Sequence, residues 1–98
     1  AYLLATFRVA TVMRKAGSKR AAAEDACWEL VEQGVYIDGN ATLERAMPMF
    51  EEANHAFIPV VTLGGDDSPP ELWGALFQVD ALRAMNKALA ATAKEEHS

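Results

Sequence analysis

The stretch Phe57-Ile58-Pro59-Val60-Val61-Thr62-Leu63 is the clearest strand pattern in the chain, and the order of the other elements can be read outward from it. Gly64-Gly65-Asp66-Asp67 follows it as a loop. Pro59 cannot donate a hydrogen bond to a neighbouring strand, which predicts an edge position or a bulge for this strand.

Upstream of this strand, residues 41–55 carry apolar side chains at helical spacing. Pro48 falls inside the pattern, where it removes one backbone hydrogen bond and crowds the preceding turn. The spacing favours a helix, either kinked at Pro48 or beginning there. The alternative is a hairpin through Asp38-Gly39, with residues 41–47 as a strand.

The front of the chain predicts a long strand over residues 2–15, because its side chains alternate between an apolar and a mixed face. Gly17-Ser18 ends this strand. Ser18 is a good N-cap for a helix that runs to about Gln33 and stops at Gly34. Val35-Tyr36-Ile37 then predicts a short strand before a turn at residues 38–40.

Downstream, Ser68-Pro69-Pro70-Glu71 has the features of a helix start, with a capping serine, a proline at the first turn and a glutamate three residues later. The sequence therefore predicts a long C-terminal helix over residues 69–94. Its tail, residues 90–98, is expected to fray.

The predicted order is strand, helix, strand, helix, strand, helix, which is typical of a small two-layer α/β or α+β fold. The 98 residues, half of them apolar, suit a single domain spanning residues 1–98. The single cysteine, Cys27, lies on the apolar side of the first predicted helix and excludes an internal disulfide. A reducing cytoplasm fits this composition, and no segment is long and apolar enough to cross a membrane.

Charge is distributed unevenly along the chain. The first twenty residues carry five basic and no acidic side chains, and the remaining seventy-eight carry four basic and fourteen acidic ones. The net charge of −5 argues against binding nucleic acid through its phosphates.

A candidate anion site consists of Lys15, Ser18, Lys19 and Arg20, because free amides at the start of a helix attract negative charge. Cations in a first helical turn oppose the helix dipole, and such a broken local rule can mark function. The alternative is that these side chains are solvated or pair with carboxylates such as Glu24.

A candidate partner surface lies on the first predicted helix. It combines four carboxylates with a tryptophan at the boundary of the apolar stripe, and tryptophan is enriched in binding interfaces. Its members are Glu24, Asp25, Trp28, Glu29 and Glu32. A strand followed by an alanine-rich helix, in residues 7–33, resembles small proteins of phages and mobile elements, some of which inhibit host defence complexes.

The residues suggest no catalytic set, no metal ligands and no cofactor. His55 is expected at a helix end, Cys27 in the core, and Asp66, Asp67 and Glu71 in capping or solvated positions. The sequence therefore favours a small acidic regulator or inhibitor that occupies the surface of a protein partner. Two alternatives remain: a homodimeric domain that binds an anionic ligand, with the last helix in the seam, and a small enzyme.

Overall fold

The computed structural model describes residues 7–64 and 67–96. It forms a small α+β domain with four strands and three helices in the described part of the chain. A short 3-10 turn, Val9–Thr11, precedes them. The elements, in chain order, are β1 Arg14–Lys15, α1 Glu24–Glu32, β2 Ile37–Asp38, α2 Leu43–Ala53, β3 Phe57–Thr62, β4 Glu71–Phe77 and α3 Gln78–Glu96.

The strands form one mixed sheet in the order β1-β4-β3-β2. Strands β3 and β4 pair antiparallel along nearly their whole length, and β1 adds antiparallel to the outer side of β4. Strand β2 runs parallel to β3, because the connection through α2 returns the chain to the same end of the sheet.

The core lies between one face of the sheet and helices α2 and α3. Ile58, Val60 and Leu76 on the strands contact buried residues of the two helices, which are Leu43, Ala46, Phe50 and Ala81. The opposite face carries Ala75, and Cys27 of α1 lies close to it. The mixed helix-and-strand class with a long C-terminal helix is therefore confirmed, and helices cover both faces of the sheet.

The predicted strand over residues 2–15 is wrong for residues 7–13, and residues 1–6 lie outside the described part of the chain. Val9 is fully buried, but its amide and that of Ala10 donate to the loop carbonyls of Ala41 and Gly39. The Thr11 hydroxyl donates to the carbonyl of Arg8 at 2.7 Å, a local bond that favours a turn. The alternating apolar residues in this segment therefore do not indicate a strand; Val9 is buried because the segment packs against the loop at residues 39–41.

Helix α1 begins at Glu24, not at Ser18, and its N-cap is Ala23. Gly17 adopts a φ of +82°, and the amide of Ser18 closes a turn onto the carbonyl of Lys15. The predicted stop at Gly34 is confirmed, with a φ of +84° just after the helix.

Residues Leu43–Ala53 are helical, as the spacing predicts, and Pro48 lies on the exposed side of α2. Strand β3 is also confirmed, but it is an interior strand of the sheet. Its ladder with β2 involves only Val60 and Val61, so Pro59 lies outside it, and a bulge separates Val60 from Val61. Pro59 is opposite Ala75 in the ladder with β4, next to the predicted bulge.

The predicted helix over residues 69–94 is wrong in its first part, because Glu71–Phe77 is strand β4. Pairing on both sides, with β3 and with β1, stabilises an extended backbone that the local helical spacing did not predict. Gly74 allows this pairing: a Cβ there would overlap the carbonyl oxygen of Arg14. Helix α3 follows at once and extends to Glu96; residues 97 and 98 lie outside the description, and fraying of the tail stays a prediction.

Candidate functional site

The outer face of α1 carries the predicted partner residues together. Glu24, Asp25, Glu29 and Glu32 are all exposed, and Trp28 is half-buried. At about 100° per residue these five positions fall within about 140° of the helix circumference. We call this set, Glu24, Asp25, Trp28, Glu29 and Glu32, the acidic face.

Trp28 lies inside the acidic face rather than at its border. Glu24 precedes it by one helical turn and Glu32 follows by one turn, so both carboxylates are its neighbours on the helix surface. The side of α1 that faces the sheet carries Cys27 and Leu30, both buried. Helix α1 contains no basic residue, so nothing on the helix itself neutralises the four carboxylates.

Cys27 is a core residue, as the sequence predicts, with 1% of its surface exposed. Burial raises the pKa of its thiol, and the charge of Glu24 raises this pKa further. The thiol borders a small pocket of about 250 Å³ that is lined largely by alanines, Gly74 and Leu72. Ser18 lies at the rim of this pocket and does not cap a helix.

The residues of the predicted anion site do not lie at a helix start, and anion binding by them stays a prediction. Lys15, Ser18, Lys19 and Arg20 are all exposed, but Lys15 lies in β1 and the other three lie in the turns before α1. Because α1 starts at Glu24, its free amides do not lie at Lys15, Lys19 and Arg20. Its first turn instead holds Glu24 and Asp25, whose negative charges interact favourably with the helix dipole. The expected conflict between cations and the helix dipole therefore does not exist.

A different cationic cluster forms where β1 meets the start of α3. Its charged members come from three parts of the chain and line a groove of about 360 Å³; they are Arg14, Arg20, Asp80, Arg83 and Lys87. Thr11, Val12 and Ala84 complete the lining. We call this feature the cationic groove. Of the four residues predicted to bind an anion, it includes Arg20.

The ion pair between Arg14 and Asp80 organises this groove. Nε of Arg14 donates to Oδ2 of Asp80 at 2.7 Å, and Nη2 donates to Oδ1 at 3.3 Å. Nη1 donates to the carbonyl of Arg20 at 3.1 Å, and the guanidinium carbon lies 4.0 Å from the ring centroid of Phe77. The hydrogen bond from Arg14 lowers the pKa of Asp80, and the charges of Arg83 and Arg20 lower it further.

Sequence reasoning missed Asp80, Arg83 and Lys87. A signal was present, because positions 80, 83 and 87 are spaced three and four apart and therefore share one face of a helix. The predicted helix over residues 69–94 was based on its start signals and not on this charged face. Nothing in the sequence, however, placed Arg14 and Arg20 opposite that charged stripe.

The remaining histidine and acidic candidates do not come together in a catalytic or metal-binding group within the described residues. His55 follows the end of α2, beside Asn54, which adopts a left-handed φ of 52°. Asp66 and His97 lie outside the description, and Glu71 begins β4 instead of capping a helix. Among residues 7–64 and 67–96, no group of three or more histidine, cysteine or acidic side chains is arranged to hold a metal ion.

Trp73, which falls within the predicted C-terminal helix over residues 69–94, is not helical. It lies on β4 with 36% of its surface exposed, and its ring covers Gly39 so closely that a Cβ there would overlap it. Within the described ranges no helix combines the length and the hydropathy needed to traverse a bilayer.

No family model, no curated protein and no solved structure matches this chain. The candidate sites are therefore argued from their own geometry.

Proposed function

We propose that this protein is a small interaction module without catalytic activity, which regulates or inhibits a partner protein by occupying a basic surface of that partner. The acidic face of α1 is the proposed contact. The observation that supports it best is the position of half-buried Trp28 between Glu24 and Glu32, with two more exposed carboxylates beside them.

The chemistry of this face suits arginine and lysine side chains. A carboxylate accepts paired hydrogen bonds from a guanidinium, and the face of an indole attracts a cation by about 0.5–1 kcal/mol at an exposed site. An aromatic ring that is already half-buried loses little conformational freedom on binding. The uncompensated charge of the four carboxylates would also accelerate the approach of a basic partner.

The cytoplasm is the proposed location, because a single buried thiol suits a reducing compartment. The resemblance to small phage and mobile-element proteins contributes nothing to this proposal. It depended on a strand-helix unit in residues 7–33, of which only Arg14–Lys15 is a strand before α1.

An arginine-rich peptide of about ten residues is a suitable probe, because it presents the proposed chemistry without a particular partner. In a Trp73→Phe background, Trp28 is the only tryptophan, and its fluorescence reports binding directly. We expect the double variant Glu24→Gln, Glu29→Gln to bind the peptide at least about fivefold more weakly, which corresponds to about 1 kcal/mol.

The matched control is Glu51→Gln, Glu52→Gln, which removes the same charge from exposed positions on α2. It should change the affinity by less than about twofold, because charges farther away than a Debye length of about 8 Å are largely screened. Equal losses in the two double variants, or no change in Trp28 fluorescence on binding, would contradict the proposal.

A second candidate function is self-association through α3, which one observation favours. Val79, Leu82 and Leu89 are exposed by 48%, 39% and 52%, and their spacing places them in one narrow stripe along the helix. The core side of α3 carries Ala81 and Ala88, so the stripe is separate from the face packed on the sheet. A homodimer with α3 in its seam would bury this stripe.

Light scattering during size-exclusion chromatography tests self-association. A dimer that becomes a monomer in Leu82→Glu, but not in Leu63→Glu, would support the seam, because Leu63 is 59% exposed and does not belong to α3. A monomeric wild-type protein at high micromolar concentration would exclude this candidate.

A further inference from the structure

We infer that the cationic groove between β1 and α3 is a binding site for a small phosphorylated ligand with at least two negative charges. This site is separate from the acidic face, since α1 and α3 pack on opposite faces of the sheet. It also differs from the site that the sequence suggested, because three of its five charged residues lie on α3.

The groove carries an uncompensated positive charge. Arg14, Arg20, Arg83 and Lys87 contribute four cations, and Asp80 contributes one carboxylate. Arg14–Asp80 is the single ion pair among the described residues. Arg20 and Arg83 line the same groove as Asp80, and their charges contribute to lowering the pKa of its carboxyl group.

Arg14 supports the groove rather than offering a free donor. Its Nε, Nη1 and Nη2 atoms already donate to Asp80 and to the carbonyl of Arg20, and its guanidinium stacks on Phe77. The bond to the carbonyl of Arg20 fixes the chain at that residue. Asp80 thus pairs with Arg14 and keeps it in place. Arg20, Arg83 and Lys87 remain as exposed cations at the mouth of the groove.

A phosphate group is the anion that this arrangement fits best. Two guanidinium groups can each make paired hydrogen bonds to phosphate oxygens, and a lysine ammonium adds a mobile point charge. The volume of about 360 Å³ admits a small ligand, and Val12 and Ala84 offer apolar contact for its organic part. The net charge of −5 disfavours a long polyanion, because the overall field of the protein repels it.

The test uses inorganic pyrophosphate as the probe, with titration followed by amide chemical shifts and by calorimetry. The expected result is saturable binding of one equivalent, with the largest shifts at Thr11, Arg83 and Ala84. Arg83→Gln, Lys87→Gln should weaken this binding at least about tenfold, because two charge-assisted contacts are lost.

The matched control is Lys15→Gln, Lys19→Gln. It removes two exposed cations that lie close to Arg20 in sequence but do not line the groove. It should retain the affinity within about twofold, since the screened long-range contribution of exposed charges is small. Equal weakening by both double variants would indicate a diffuse basic surface and would overturn the site.

Two further outcomes would overturn the inference. One is the absence of saturable pyrophosphate binding by the wild-type protein. The other is tighter binding, through the same residues, of a single-stranded oligonucleotide than of pyrophosphate, which would assign the groove to nucleic acid. Circular dichroism of each variant establishes that it is folded, and both variant pairs change exposed side chains.

Discussion

The acidic face of α1 and the cationic groove between β1 and α3 are assembled in opposite ways. All five residues of the acidic face lie within the nine residues of one helix. The charged residues of the groove span positions 14 to 87 and converge through an ion pair that joins residues 66 positions apart. A helix is enough to create the first surface, whereas the second exists only when the sheet has formed.

This difference predicts how the two surfaces respond to mutation. A change that disturbs the pairing of β1 with β4 should damage the groove and spare the acidic face, because Arg14 is held in place by that pairing. A change on the exposed side of α1 should have the reverse effect. A change in the shared core should damage both.

The largest effect is expected for Leu76→Ala, which should impair both surfaces by destabilising the domain. Leu76 is fully buried in the cluster between the sheet and the two helices. Its truncation removes transfer free energy and leaves a cavity, which costs about 2–5 kcal/mol. Urea unfolding measures the loss, and a cost below about 1 kcal/mol would show that the core does not lie where the structure places it.

Gly74→Ala should affect ligand binding at the cationic groove more than ligand binding at the acidic face. The added Cβ overlaps the backbone of Arg14, so β1 must move away from β4, at a cost of about 1–3 kcal/mol. Pyrophosphate binding should fall more than binding of the arginine-rich peptide. Gly17→Ala is the control. A Cβ at residue 17 meets no atom within 4 Å, so only the positive φ of +82° disfavours alanine there. A larger loss of pyrophosphate binding in Gly17→Ala would contradict this comparison.

Asp80→Asn should remove a pH-dependent part of the stability. The pKa of Asp80 is lowered in the folded state, so the carboxylate stabilises the fold above its unfolded pKa of about 3.9. That contribution is lost as the pH falls through the lower folded value. We expect the variant to be less stable by up to about 1 kcal/mol at neutral pH. The difference from wild type should vanish in strong acid, and urea unfolding across this pH range measures it.

The smallest effect is expected for Glu24→Gln, measured as the rate at which the Cys27 thiol is alkylated. The charge of Glu24 raises the pKa of the Cys27 thiol, so removal of that charge should lower this pKa. The rate of alkylation at mildly alkaline pH should rise by no more than about fivefold, the equivalent of about 1 kcal/mol. Glu51→Gln should leave the rate unchanged. A slower reaction in Glu24→Gln would contradict the described orientation of α1.

Local patterns predicted several elements correctly because local interactions decide them. Helix α2 forms despite Pro48, and α1 ends at Gly34, where only a residue that accepts a positive φ fits easily. The members of the acidic face were predicted, since residues spaced by one helical turn share a face wherever the helix lies, but Trp28 lies inside this face and not at its border. Strand β3 was also predicted, because it is a short apolar run that is buried on both faces.

The misassigned segments are those in which distant partners outweigh local preference. The amides of Val9 and Ala10 donate to the distant carbonyls of Ala41 and Gly39. Strand β4 is extended because β1 and β3 pair with it on both sides. The segment with Lys15, Lys19 and Arg20 was predicted as a helix start because Ser18 is a suitable N-cap residue, but α1 begins only at Glu24. Its cations precede α1 and do not oppose the helix dipole.

The amino-acid sequence by itself determined the mixed helix-and-strand class, the acidic face and the burial of Cys27, since helical spacing and apolar periodicity act over a few residues. Only the tertiary structure decided the strand order, the extended form of β4 and the cationic groove. Arg14 and Asp80 meet because β1 pairs with the strand that leads directly into α3, and no local pattern encodes that pairing.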